Sequence, residues 1–331
     1  MTRSWRNKTV LVTGAGGFIG SHLVEALAAA GAQVRAFVRY NSRADWGLLG
    51  MLPAEALAGV EVVAGDLRDL QAVTGAMRGV DLAFHLGALI AIPYSYVHPA
   101  EVVEVNVLGT LNVLLAARET VVSRVVHTST SEVYGTARTV PIDEAHPLQG
   151  QSPYSASKIG ADKLAESFYR SFDVPVITVR PFNTYGPRQS DRAVIPTVIA
   201  QALTGDVVRL GNLDATRDLT YVSDTVAGFL AAGEAAGFEG ETFNLGAGFE
   251  ISIGELAQKI IALTGRDVRI EIDPDRLRPA KSEVERLVSD NTLARDRLGW
   301  TPRIPLDKGL ALTIDWVREN LGRYRPRVYQ R

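Results

Sequence analysis

The chain has 331 residues and no cysteine, which removes disulfide scaffolds, thiolate nucleophiles and Cys-ligated zinc together. The cytoplasm is the expected compartment. An excess of one charge is also lacking, since 35 Lys and Arg stand against 37 Asp and Glu for a formal net charge of −2. Such a balance supplies no broad basic surface for duplex nucleic acid, although single arginines can still hold the phosphates of a small ligand. Long hydrophobic runs are missing. The most apolar stretch, Val80 to Val97, holds Asp81, His85 and Pro93, whereas a membrane-spanning helix wants about 20 mostly apolar residues, so no membrane segment is expected. The basic start from Thr2 to Lys8 imitates a signal peptide, but the apolar run Val10 to Val12 breaks at once into glycines and is too short to target anything. Solenoid repeats and low-complexity tracts are absent. His22, His85, His98, His127 and His146 show no metal-ligand spacing, so no metal is predicted. Without a Gly-x-Ser-x-Gly elbow, hydrolase chemistry has no support.

What is present describes an ordinary globular chain, 46% apolar and 22% charged, long enough for about two domains or one large α/β unit with an added lobe. Thr9 to Thr13 is a β-branched run. It is followed by Gly14-Ala-Gly-Gly-Phe-Ile-Gly20 and by helix formers from Ser21 to Ala30, closed by Gly31. Short apolar strands recur at Val34 to Val38, Val60 to Ala64, Leu82 to Leu86, Val125 to Thr128 and Val176 to Val179, with longer helical stretches between them. This alternation predicts an α/β fold with a Rossmann-like, doubly wound parallel sheet. Prolines gather past Arg180. Residues 1–182 are therefore expected to form a dinucleotide-binding domain and residues 183–331 a smaller, interleaved substrate lobe, with some later segments returning to the first. Thr242 to Leu245 reads as another strand, Ser252 as the cap of a helix running to about Leu263, and Val268 to Ile272 as a strand of the smaller lobe.

Gly14-x-x-Gly17-x-x-Gly20 lies between a strand and a helix start, where glycines allow a tight turn and free N–H groups favour a pyrophosphate. With Phe18 and Ile19 these glycines are the expected cofactor turn, and Leu86 is assigned to the same site. The second strand ends in Val38-Arg39-Tyr40-Asn41-Ser42-Arg43 with no acid before Asp45. A carboxylate there would accept hydrogen bonds from a ribose 2′-hydroxyl, so Arg39 and Arg43 point to a 2′-phosphate and NADP, with NAD the alternative. After the third strand, Asp66-Leu67 is placed either to meet an adenine edge or to cap the next helix.

Tyr154 and Lys158 share one helix face four residues apart. A neighbouring ammonium stabilises phenolate, which suits the tyrosine to general-base work. Taken with Ser129-Thr130-Ser131-Glu132-Val133-Tyr134-Gly135, His85-Leu-Gly-Ala88, Asn106, Arg180-Pro-Phe-Asn-Thr-Tyr-Gly-Pro187, Arg217-Asp-Leu-Thr-Tyr-Val-Ser-Asp224 and Leu298-Gly-Trp-Thr-Pro302, these residues carry a resemblance over essentially the whole length. The chain resembles the extended short-chain dehydrogenase/reductases of the NAD(P)-dependent nucleotide-sugar epimerase/dehydratase family.

That resemblance implies that Thr130, Tyr154 and Lys158 oxidise a sugar C4 hydroxyl, with Tyr154 and Lys158 also contacting the cofactor. Simple 4-epimerases of the family usually lack an acid after the Ser/Thr pair, whereas Glu132 is similar to the proton-transfer residue of 4,6-dehydratases. Ser131 departs from the dTDP-glucose dehydratases, which carry Asp there. GDP-mannose dehydratases and some UDP-glucuronate decarboxylases read Thr-Ser-Glu as this chain does, so dehydration and decarboxylation both stay open at this loop. Ala88 to Tyr96 and Pro147 to Tyr154 resemble the N-acetylhexosamine 4,6-dehydratases of the legionaminic-acid type pathway. This implies a UDP- or GDP-N-acetylglucosamine substrate. Asn183, Arg192, Arg217 and Arg278 are the implied substrate contacts. A homodimer is implied through helices near Pro99 to Glu119 and Tyr154 to Phe172, with Val103, Val107, Leu111 and Leu114 against Ile159, Leu164 and Phe168, although these faces are equally able to pack on the sheet. A sensor that kept the dinucleotide fold without chemistry is the non-enzyme alternative.

Overall fold

The computed structural model describes residues 5–326. Seven parallel strands make the central sheet: β1 (Thr9–Thr13), β2 (Gln33–Arg39), β3 (Val60–Gly65), β4 (Leu82–His85), β5 (Arg124–Thr128), β6 (Val176–Pro181) and a seventh, Thr242–Leu245. Their spatial order is seventh strand, β6, β5, β4, β1, β2, β3. The order reverses between β1 and β4, which opens a crevice at the carboxyl ends of those strands, where ligands of doubly wound sheets bind. Every residue of β4 and β6 is buried, as expected of strands covered on both faces.

One face is covered by α1 (Phe18–Ala29) and the helix Val222–Glu234, whose Leu23, Val24, Leu27, Val226 and Phe229 enter the larger core. The other is covered by helices Leu70–Met77, Gly109–Thr120 and Pro153–Phe172, through Val73, Met77, Val113, Leu114, Ala165 and Phe168. Two of the residues expected on a dimer face, Leu114 and Phe168, thus belong to the core. An apolar helix stripe has the same period whether it meets a sheet or a partner, and here the sheet takes these two. Val103 stays exposed. Pro99–Thr120 forms one continuous helix of 22 residues, long and apolar enough by length and composition to cross a membrane. The expectation had looked for such a stretch at Val80 to Val97 instead. In the fold Pro99–Thr120 is a layer helix with Val102, Val113, Ala116 and Ala117 buried.

Midway along it, Glu104–Leu108 widens into a π turn that carries Asn106. Asn106 accepts from Leu89 N at 2.8 Å and donates to Leu89 O at 3.0 Å and Ser157 Oγ at 2.9 Å. The turn therefore ties the segment after β4 to the helix Pro153–Phe172. That helix starts sharply. Ser152 Oγ accepts from Ser155 N, Ser155 Oγ accepts from Ser152 N, and Pro153 fills the first position, where its missing N–H costs nothing. The helix after β3 is capped by Asp69, which accepts from Gln71 N and Ala72 N at 2.9 and 3.2 Å. Asp66 is not the cap.

Beyond Pro181 the smaller pairings follow. Asn183–Tyr185 runs parallel to Leu219–Tyr221, Val207–Leu210 parallel to Arg269–Ile272, and Thr216–Arg217 antiparallel to Ile251–Ser252. Ser252 and Glu255 close a capping box on the helix Ile253–Thr264.

Candidate active site

The glycine turn follows β1 directly. α1 begins at Phe18 with Gly17 extended and no side chain capping it, so its first-turn N–H groups and positive helix end face the crevice. Glycine is required at two points. Gly14 has φ +69°, and a Cβ there would lie 2.8 Å from Gly87 N; a Cβ on Gly20 would lie 2.2 Å from Gly14 O. Such a cradle fits the backbone approach that a pyrophosphate needs. Leu86 and Gly87 border it, with Thr13 Oγ1 accepting from Gly87 N at 3.0 Å, and a Cβ on Gly87 would meet Leu67 Cδ1 at 2.7 Å.

The segment after β2 bends back onto this turn, Leu48 N donating to Gly16 O at 2.9 Å. Nothing in the residue pattern announced that contact. Arg39 ends β2 and pairs with Glu101 at 3.5 Å. Arg43 is exposed in a turn closed by its N–H on Asn41 Oδ1. Asp66 is gripped by Arg68, at 2.7 Å on Oδ2, and that hydrogen bond holds its carboxyl below the usual range.

Tyr154 and Lys158 face the carboxyl end of β5, both buried. Lys158 Nζ donates to Thr128 O at 2.6 Å. Burial pushes its ammonium down to about 8, opposed by the charge of Asp162. Thr130 caps the short turn Ser131–Tyr134 by accepting from Glu132 N at 3.2 Å, and its hydroxyl also bonds the Tyr154 phenol. Burial raises that phenol well above its ordinary value, the Thr130 bond pulls it down, and the charges of Glu132 and Asp162 push it up. The expected depression of Tyr154 by Lys158 is therefore not what this arrangement gives. Desolvation dominates, and the ammonium is aimed at the Thr128 carbonyl. Ser131 is buried and Glu132 half-buried, with no protein hydrogen bond to the Glu132 carboxylate among the described residues.

Glu132 also links this centre to the second lobe, because its charge acts on Arg217 as well as on Tyr154. Arg217 and Arg278 converge on one carboxylate, Glu283, at 3.3 and 3.6 Å. Glu132 and Glu283 are the two acids whose charges act on Arg217. Burial above all, with Arg278 adding to it, holds the Arg217 guanidinium below its ordinary value against the opposing charges of Glu132 and Glu283. Arg278 Nη1 and Asn183 Oδ1 are buried polar atoms with no hydrogen-bond partner. Arg192 stays apart, exposed and folded onto Ser190, in no hydrogen bond or ion pair with the other three.

Below the centre lies a network that the sequence reading passed over. Asp162 accepts from His127 Nε2 at 3.1 Å, Ser129 Oγ at 2.8 Å and Arg180 Nη2 at 3.1 Å, and Arg180 Nη1 reaches the Tyr134 hydroxyl at 2.9 Å. One signal was available, since Asp162 continues the spacing of Tyr154 and Lys158 by a further four residues. Glu283 offered none, standing 66 residues from Arg217.

Residues 11–313 match the family described as GDP-mannose 4,6 dehydratase. The UDP-glucose 4-epimerase of Mycolicibacterium smegmatis is 36% identical, over 93% of this chain and 98% of that one. The chain belongs to the nucleotide-sugar epimerase/dehydratase family of extended short-chain dehydrogenase/reductases. The dTDP-glucose 4,6-dehydratase of Actinoplanes sp. is 35% identical, over 94% of this chain and 98% of that one. A double mutant of the dTDP-glucose 4,6-dehydratase of Streptomyces venezuelae, solved with NAD bound, superimposes with a TM-score of 0.84 at 32% identity, covering 95% of this chain and 98% of that one. Family members of both reaction types are thus similar to nearly the same degree, and overall likeness does not choose between epimerisation and dehydration.

Proposed function

We propose that the protein is a nucleotide-sugar 4,6-dehydratase that forms a 4-keto-6-deoxy sugar nucleotide from UDP- or GDP-N-acetylglucosamine. The observation that carries the reading is Glu132, a half-buried carboxylate with no protein hydrogen bond, whose charge reaches both the Tyr154 phenol and Arg217. An epimerisation that only removes and returns hydrogen at C4 needs no such base.

A nicotinamide dinucleotide held by Gly14, Gly17, Phe18, Ile19 and Gly20, with Leu86, Leu67 and Asp66 beside it, supplies the hydride acceptor and, when oxidised, a positive ring that opposes the burial keeping the phenol protonated. Arg39 and Arg43 support NADP, while Glu101 beside Arg39 supports NAD. Arg217, Arg278 and Asn183 bind the substrate diphosphate. Arg192 is the one outer contact. Tyr154, aligned by Thr130 and Lys158, takes the C4 hydroxyl proton as the C4–H bond gives up its hydride. The new ketone acidifies C5–H. Glu132 removes that proton and delivers it to the C6 hydroxyl, which leaves as water, and Ser131 plays a lesser part. Return of the hydride to C6 and of a solvent proton to C5 balances the reaction.

Mass spectrometry of products from a panel of nucleotide sugars tests this, because loss of water, loss of carbon dioxide and unchanged mass separate dehydratase, decarboxylase and epimerase. Glu132→Gln should accumulate reduced cofactor with little deoxy product. A variant turning over at the wild-type rate would return the decarboxylase reading, or the epimerase reading favoured by the Mycolicibacterium relative, to first place. We further propose a domain division at residues 182 and 183, and a cytoplasmic homodimer with no nucleic-acid or membrane partner. Its helix contact runs through Val103 and the half-buried Val107, Leu111, Ile159 and Leu164, and sedimentation as a concentration-independent monomer would remove it.

A further inference from the structure

β1 lies between β2 and β4, so the segments leaving β2 and β4 at their carboxyl ends flank the crevice above the glycine turn. Arg39 is the last residue of β2, and Glu101 stands on the helix Pro99–Val103 beyond β4. Their side chains meet from the two sides, Arg39 Nη2 lying 3.5 Å from Glu101 Oε1. Glu101 is fixed in place. The Tyr94 hydroxyl donates to its other oxygen, and the Tyr94 ring lies against His98 with centroids 4.6 Å apart. The Tyr94 phenol first, and then the charges of Arg39, Arg68 and His98, hold the Glu101 carboxyl below its usual range, so it is ionised at neutral pH. Arg39 is the freer partner, its side chain 63% exposed against 28% for Glu101. The other acid that feels Arg39, Asp66, is already bound by Arg68.

We propose that Glu101 sets the choice between the two nicotinamide dinucleotides by competing with an adenosine 2′-phosphate for Arg39. The inference rests on the dinucleotide reading above. A 2′-phosphate must take Arg39 from Glu101 and then sit beside a carboxylate of its own sign. A 2′-hydroxyl needs neither, and it finds in Glu101 the acceptor that the end of β2 fails to provide. The arginines of the β2 end and the acid of the helix beyond β4 therefore pull in opposite directions, and an ion pair whose arginine is mostly exposed is weak enough for one side chain to tip the balance.

Nicotinamide fluorescence on the full chain gives dissociation constants for NADH and NADPH in wild type, Glu101→Gln, Arg39→Ala and the double variant. Glutamine keeps an acceptor for Tyr94 while removing the charge. Relative to NADH, NADPH should tighten about tenfold in Glu101→Gln, the scale of one charge-assisted hydrogen bond gained, and the shift should shrink in the Arg39→Ala background and at high salt. An unchanged NADPH-to-NADH ratio, an equal gain for both, or a shift undiminished without Arg39 would overturn the proposal. Wild-type chain that binds neither dinucleotide would overturn the cofactor reading itself, and this inference with it.

Discussion

Asp162→Asn should destabilise the protein without touching substrate or cofactor. Asn keeps the size of the side chain and, in the place of Oδ2, an oxygen that still accepts from Ser129 and Arg180, but it removes the negative charge that neutralises the buried Arg180 guanidinium, 7% exposed. Breaking a buried ion pair from one side costs about 3–5 kcal/mol. A polar cavity of about 370 Å³, lined by Asp162, Arg180, Glu144 and Lys163, adjoins this pair and leaves room for solvent to relax around a stranded charge, which argues for the lower end of that range. With an unfolding entropy of about 2.1 cal/mol/K per residue over 331 residues, about 3 kcal/mol lowers Tm by about 4 °C.

The effect should also depend on pH. Burial alone would raise the Asp162 carboxyl, but the His127 hydrogen bond and the charges of His127, Arg180 and Lys158 outweigh it and hold the carboxyl below its ordinary value. A depressed native pKa stabilises fully above the unfolded value of about 3.9, and that stability is lost as pH falls through the native value. Thermal melts of wild type and variant should therefore differ by a constant gap between about pH 5 and 8 and converge in acid. Asp162→Asn combined with Arg180→Met should recover part of the loss, because the stranded charge is gone. A Tm drop under about 1 °C, or a gap that widens in acid, would refute the account of Asp162 as the carboxylate that neutralises Arg180.

Tyr154→Phe should lower kcat by about 10²–10⁴-fold in the nucleotide-sugar assay with a far smaller loss of dinucleotide binding, since the phenol oxygen accepts a proton and holds no phosphate. Because burial brings Lys158 down to about 8, turnover should fall as pH rises through that value when its charge is required, and Lys158→Arg should move the falling limb upward in a pH–rate profile. Gly20→Ala places a Cβ 2.2 Å from Gly14 O, so the turn must open. Circular dichroism should stay native while dinucleotide fluorescence shows binding weaker by at least about tenfold, the loss expected when backbone N–H groups no longer converge on a pyrophosphate.

Local chemistry was legible in the sequence. The β-branched runs, the glycine spacing and the four-residue step from Tyr154 to Lys158 are short-range patterns, and each lies in the expected element. Non-local pairs were not legible. Glu283 under Arg217 and Glu101 against Arg39 come from segments that meet only after the lobes and layers pack. Side-chain energetics failed for a related reason. Tyr154 beside Lys158 suggests a lowered phenol, yet the extent of desolvation is a property of the whole fold, and it sets the direction. Leu114 and Phe168 show the same limit, because a helix stripe carries a period and no address.

The seventh strand, Thr242–Leu245, pairs with β6 only after the chain has passed through four of the small strands of the second lobe. A ribosome releasing residues 1–182 has therefore made six strands of a seven-strand sheet, with the outer backbone of β6 unpaired until some sixty residues more have emerged and folded back. Such an edge is a template for a neighbouring chain, and closing it late is the slow, long-range kind of event in assembling a sheet. Expression of residues 1–182 alone should consequently yield aggregate, whereas adding the chain through Leu245 as a separate fragment during refolding should raise the yield of monodisperse protein by filling the open edge.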